Sequence, residues 1–226
     1  MIPAGKRARI EAMQMQRMLV AIAFAMLSFG SSANSEFCQL VDGNFLQDPM
    51  FDQLNSSGVP QYWFNTQHAG EKSFELEFDN GELTIVKTGT QPWLYFRERV
   101  AAKELAGKKM AFTAELKLDL QQAHTPTVGG GLSIVARSSS LQGRKLLLRS
   151  KLDHQPRSGK TDWHPVQVVV QLPRKTNIVE VGFLHQGEGT MQVRNPSFQL
   201  VDESSQPCAV SPNAILGIPQ TSSGLR

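Results

Sequence analysis

At 226 residues, 40% of them hydrophobic, the chain can fill one good core but is too short for two ordinary domains. Four of its 23 basic residues and one of its 20 acidic residues precede Asn34, leaving 19 against 19 beyond that point. The formal charge of +3 therefore belongs to the first 33 residues, and the neutral remainder excludes nucleic acid or an anionic membrane as a partner drawn by net charge.

The chain opens with Lys6, Arg7, Arg9 and Arg17, followed by an uncharged apolar run from Met18 to Phe29 and the small residues Ser31-Ser-Ala33. A basic flank, a short apolar run and a small-residue exit describe a secretory signal over residues 1–33. The run is shorter than the ~20 residues needed to span a bilayer, so no membrane span is expected after leader removal. Met13, Met15 and Met18 are alternative starts. The expected location is periplasmic or secreted. In that oxidising setting Cys38 and Cys208 are expected to pair as a disulfide. Ser35-Glu-Phe37 before Cys38 is not the aliphatic and small pattern of a lipidated cysteine.

Strand-like runs then follow one another. Residues 74–78 and 82–88 flank Asp79-Asn-Gly81, a hairpin signal because Asn and Gly tolerate positive φ. Residues 93–100 come next. In 109–120, Met110, Phe112, Ala114, Leu116, Leu118 and Leu120 share one face, and polar residues dominate the other. That period of two predicts a half-buried strand. Further strands are predicted over 132–137, 145–149, 166–172, 177–185 and 190–201, with one helical turn within 101–105. Loops are predicted over 121–130 and 152–162. Many short strands with Gly/Pro turns and no strand–helix alternation predict an all-β sandwich or barrel. Residues 34–208 form the single domain, and 209–226 have little to bury and read as a disordered tail.

Catalytic signatures are missing. Ser158-Gly-Lys-Thr161 lacks the glycine a phosphate loop needs five residues before Gly159, where His154 stands. The five histidines (68, 124, 154, 164 and 185) show no metal-binding spacing. Glu98 and Glu115 are the acids to weigh for glycoside hydrolysis, which needs two carboxyls roughly 5–10 Å apart; solvated surface is the expected role for both.

Trp93, Tyr95, Arg97 and Arg99 alternate with Leu94, Phe96, Glu98 and Val100. Sugars stack their CH faces on Trp or Tyr and give their hydroxyls to charged and amide groups, so this face is a candidate ligand surface. The competing reading makes Trp93 and Tyr95 core residues at the end of a sheet. Trp163 and Tyr62-Trp63 read as packing residues.

Asn44-Phe-Leu-Gln-Asp-Pro-Met-Phe-Asp52 followed by Pro60-Gln-Tyr-Trp63 resembles the opening motif of CenC-type carbohydrate-binding modules and their galactose-binding-like relatives. Leu105-Ala-Gly-Lys108 leading into Phe112-Thr-Ala-Glu-Leu-Lys117 is similar to their turn and long strand. Thr161-Asp-Trp163, Val168-Val-Val-Gln-Leu-Pro173 and Gly187-Glu-Gly-Thr190 resemble their closing third. The resemblance covers roughly residues 40–202. It implies a jelly-roll β-sandwich of two antiparallel sheets, a polysaccharide or oligosaccharide partner, and a structural calcium as the one candidate cofactor. Asp52 and Asn195 are the candidate metal ligands. The chain reads Gln192-Val-Arg-Asn-Pro-Ser-Phe198 where those modules close with Trp-x-Asp-Asp, so Asn195 offers a carbonyl oxygen in place of a carboxylate.

The resulting expectation is an exported, non-catalytic glycan-binding protein that uses Trp93, Tyr95, Arg97 and Arg137, with His185 as an outlying candidate. One alternative is an envelope assembly module that holds a protein partner through an exposed apolar strip, to which Leu184 and Val169 point. Another is a β-sandwich hydrolase or lyase.

Overall fold

The computed structural model describes residues 37–122, 128–141, 143–204, 207–211 and 215–216; the predicted leader lies outside them. The strands are β1 (Trp63–Gln67), β2 (Phe74–Asp79), β3 (Glu82–Lys87), β4 (Leu94–Ala101), β5 (Lys109–Leu120), β6 (Gly130–Ser140), β7 (Gly143–Lys151), β8 (Gly159–Lys160), β9 (His164–Gln171), β10 (Ile178–His185), β11 (Gly189–Leu200) and β12 (Ile215–Leu216). One 3-10 turn spans Lys103–Leu105. The first sheet runs β1-β4-β10-β6-β7-β12 and the second β2-β3-β11-β5-β8, with β9 also on β5. Every pairing is antiparallel. The fold is a β-sandwich jelly roll of two antiparallel sheets, as the sequence pattern and the resemblance imply.

Two-residue alternation sets which side chains meet between the sheets. Met110, Phe112, Leu116, Leu118 and Leu120 of β5 are buried, as are Leu94, Phe96 and Val100 of β4. The core gathers Phe51, Trp63, Phe96 and Phe183, with the Trp63 ring stacked 5.1 Å from Phe96 and 5.7 Å from Phe183. The Trp63 indole donates to the Asp48 carbonyl at 2.7 Å, which satisfies its one polar atom. At the β2–β3 hairpin, Asn80 (φ 49°) and Gly81 (φ 81°) adopt the left-handed turn that the Asn-Gly pair predicts.

A second, smaller cluster lies on the outside of the second sheet. Ala111, Val169, Val201 and Cys208 are buried there, with Cys38 and Leu40 packed on them. Cys38 and Cys208 form the expected disulfide, with their Cα atoms 5.6 Å apart across a sequence separation of 170. Val169 is thus covered rather than exposed, which corrects its reading as part of an apolar strip. Strand β9 leaves an edge, and Ser211 caps it: its amide donates to the Val169 carbonyl at 2.8 Å, and its hydroxyl accepts from the Val169 amide at 3.0 Å. Farther on, β12 pairs with β7. Open strand edges give backbone partners to these residues of the expected tail, whose residues 212–214 and 217–226 lie outside the described residues. Among the described residues no helix is long and apolar enough to cross a membrane.

Candidate functional site

The site is built on the outer face of the first sheet. In β4, Leu94, Phe96, Glu98 and Val100 point inward, while Tyr95, Arg97 and Arg99 point outward. Register then places neighbours beside each outward residue. Tyr95 lies between Thr66 of β1 and Leu184 of β10; Arg97 lies between Phe64 and Gly182. Gly182 in turn faces Ser133 of β6, which faces Lys151 of β7, and Val135 faces Arg149. These rows enclose an open cleft of about 310 Å³. Trp93, Tyr95, Arg97 and Arg137 all line it, together with Glu180 and Ser133.

Glu180 sits at the centre. It is 5% exposed, although the parity of β10 turns it outward, because three arginines fold over it. Arg99 Nη2 donates to its Oε1 at 3.2 Å, and the Nε atoms of Arg97 and Arg137 stand 3.7 and 3.6 Å from its Oε2. Arg97 is also held between two rings, 4.3 Å from the Phe64 centroid and 4.8 Å from that of Tyr95, and donates to Thr66 Oγ1 at 2.7 Å. Burial lowers its pKa, partly offset by Glu180, yet a guanidinium keeps its charge at neutral pH.

Tyr95 forms floor rather than a free platform. One ring contact is taken by Arg97, and its hydroxyl donates to the Glu180 carbonyl at 3.4 Å. Burial pushes the phenol well up, so it stays protonated near neutrality and offers a donor rather than a base. Trp93 stands at the end of the cleft, half-buried, with His68 edge-on at 6.3 Å. It is the aromatic surface available for stacking.

The structure turns His185 away from this group. It lies on the inner face of β10 with Val179, Val181 and Phe183, is 0% exposed, and packs edge-on against Phe74 at 5.4 Å. Burial lowers its imidazole to about 4. As a ligand group it is therefore corrected to a neutral core residue. The parity of residues 179–185 already carries that signal. Leu184, the other residue cited for an apolar strip, lines the cleft instead.

Glu98 and Glu115 lie in different sheets and do not converge. Glu98 is buried rather than solvated: its carboxylate accepts from the Gln47 amide at 2.8 Å and the Asp48 amide at 3.4 Å, and burial raises its pKa. It anchors the segment that precedes β1. Glu115 lies on the outer face of the second sheet, where Asn195 Nδ2 donates to it at 2.9 Å and Arg194 at 2.7 Å, holding the carboxyl below its usual range. The Arg194 guanidinium lies 4.3 Å over the Trp163 ring.

The candidate calcium ligands Asp52 and Asn195 lie on different parts of the chain's surface. Asn195 donates from Nδ2 to Glu115, and Asp52 lines a separate depression with Phe78 and the turn at Asp79. Among the described residues no three His, Cys, Asp or Glu side chains gather at one point.

Glu180, Ser133, Arg149 and Lys151 were not picked out from the sequence as site residues. Their signal is weak there, because only strand register brings three separate strands to one place.

No family model matches the chain, and no curated protein matches it. Among solved structures it is similar to the enzymatically active domain of bacteriophage CBA120 tailspike protein 4 (13% identity, TM-score 0.48). That match covers 70% of this chain but 21% of the tailspike. It is also similar to a CBM4 carbohydrate-binding module (15% identity, TM-score 0.44), covering 68% of this chain and 97% of the module. A third is the TmCBM61 module in complex with β-1,4-galactotriose (11% identity, TM-score 0.41; 70% and 99% covered). At these scores the likeness assigns neither ligand nor activity to this chain.

Proposed function

We propose that the protein is an exported, non-catalytic glycan-binding protein of CenC-like type whose ligand lies along the cleft between Trp93 and Arg137. The observation that carries this reading is the convergence of one available indole with forked donors and hydroxyl groups in a single open cleft. Its volume is at the lower end of ordinary ligand sites, roughly 300–1,000 Å³. Trp93 supplies a stacking face; Arg97 and Arg137, oriented by Glu180, supply hydrogen bonds to oxygen atoms of the ligand. The resemblance of residues 40–202 to CenC-type modules supports the same reading, and the disulfide suits an exported protein.

Affinity electrophoresis of the disulfide-intact protein through gels containing a panel of neutral and acidic polysaccharides tests it. Retardation in at least one gel is expected, weakened about tenfold by Trp93→Ala, a factor equivalent to about 1.4 kcal/mol. Free migration in every gel, or unchanged retardation of the variant, overturns it.

A further inference from the structure

We infer that the glycan is polyanionic, carrying carboxylate or sulfate groups along its chain; this rests on the reading of the cleft as a glycan site. The domain from Asn34 onward is neutral, with 19 basic and 19 acidic residues, yet its cleft is not. Arg97, Arg137, Arg149 and Lys151 line it against the single carboxylate of Glu180. That carboxylate is already shared by Arg97, Arg137 and Arg99, and one negative charge cannot balance three guanidinium groups. Arg149 and Lys151 are exposed beside the floor, and among the described residues neither has a carboxylate partner.

Hydrogen-bond chemistry points the same way. A sugar hydroxyl both donates and accepts, so a site for a neutral glycan needs acceptors as well as donors. Here the four cationic groups only donate, Glu180 is engaged by arginines, and Thr66 Oγ1 already accepts from Arg97. The other acceptors in the lining, the Gln186 amide oxygen and the Ser133 hydroxyl, are both buried. The unspent capacity is donor capacity with positive charge. Its complement is an acceptor-only anion, which guanidinium groups can take in a two-pronged geometry. Trp93 at the end of the cleft adds a requirement that charge alone does not, a flat apolar face on the ligand.

Matched polymers isolate the charge. The full protein is run through gels containing dextran, dextran sulfate, polygalacturonate or fully methyl-esterified polygalacturonate, with polyglutamate as a polyanion lacking sugar. Retardation at least tenfold stronger is expected for a charged polymer than for its uncharged partner. Sulfate-only retardation identifies a sulfated ligand and polygalacturonate-only retardation a uronate. The double variant Arg149→Gln/Lys151→Gln should lose most of that preference with an unchanged unfolding midpoint, and Trp93→Ala should weaken it as well.

Equal or stronger retardation by the neutral partners overturns the polyanion inference and leaves glycan binding standing. Free migration through every gel removes both. Equal retardation by polyglutamate, or full retention by Trp93→Ala, reduces the effect to bare charge attraction and overturns the inference. An unchanged preference in the double variant overturns it too.

Discussion

At the scale of single residues, burial decides more than residue type. His185 and His154 are 0% and 8% exposed, and burial lowers both imidazoles to about 4. A histidine in the unfolded chain titrates near 6.5. Between pH 6.5 and about 4 the unfolded state therefore binds more protons than the folded one, so stability is complete above that window and falls as pH drops through it. Each group can contribute up to about 3 kcal/mol of that loss, taken from the size of the shift. Urea midpoints measured from pH 7 to pH 4 should fall in the wild type and fall less steeply in His185→Leu, which keeps an apolar plug against Phe74. Parallel slopes would show that His185 is not held neutral. The buried carboxyls of Glu98 and Asp48 act with the opposite sign, since burial raises both and favours the folded state on the acid side.

At the scale of elements, strand parity makes the site. Along β4 it puts Phe96 in the core and Arg97 in the cleft; along β10 it puts Phe183 inside and Glu180 outside. Gly182 of β10 stands opposite Arg97 of β4 with no room for a side chain. A Cβ there would lie 2.1 Å from the Phe96 carbonyl oxygen and 2.6 Å from Arg97 Cβ, so the absence of a side chain is what lets Arg97 cross the floor. Gly182→Ala is expected to cost about 1–3 kcal/mol through overpacking, seen as a lower urea midpoint. An unchanged midpoint would mean that β4 and β10 have room to separate.

The alternation of β4 and of β5 was legible from residue order alone, as were the Asn80-Gly81 hairpin and the inward Trp63. Strand β1 was not, because Trp63-Phe-Asn-Thr-Gln67 is short and mixes apolar and polar residues without a clean period. The two-residue strands β8 and β12 are too short for any periodicity and exist through the neighbours they pair with. Glu180, Arg149 and Lys151 became site residues only once register set β10 between β4 and β6, pairings across long sequence distances that local pattern does not carry, with the β6–β7 hairpin bringing Arg149 and Lys151 alongside.

At the scale of the whole molecule, the two faces of the sandwich have different roles. Part of the outer face of the second sheet is covered by the two ends of the domain: Leu40 bridges to Val201, the disulfide joins Cys38 to Cys208, and Ser211 caps β9. In chain-entropy terms that bond can contribute at most about 5 kcal/mol for a loop of this length. The outer face of the first sheet stays open and holds most of its charge in one cleft. A protein-observed NMR titration with an acidic oligosaccharide, cut from whichever charged polymer retards the protein most, tests this division most directly. The account predicts shifts concentrated at the Trp93 indole and at the amides of Arg97, Ser133, Arg149 and Lys151, with the Trp163 indole and Arg194 unmoved. Shifts centred on Trp163 and Arg194, or no shifts at saturating oligosaccharide, would contradict it.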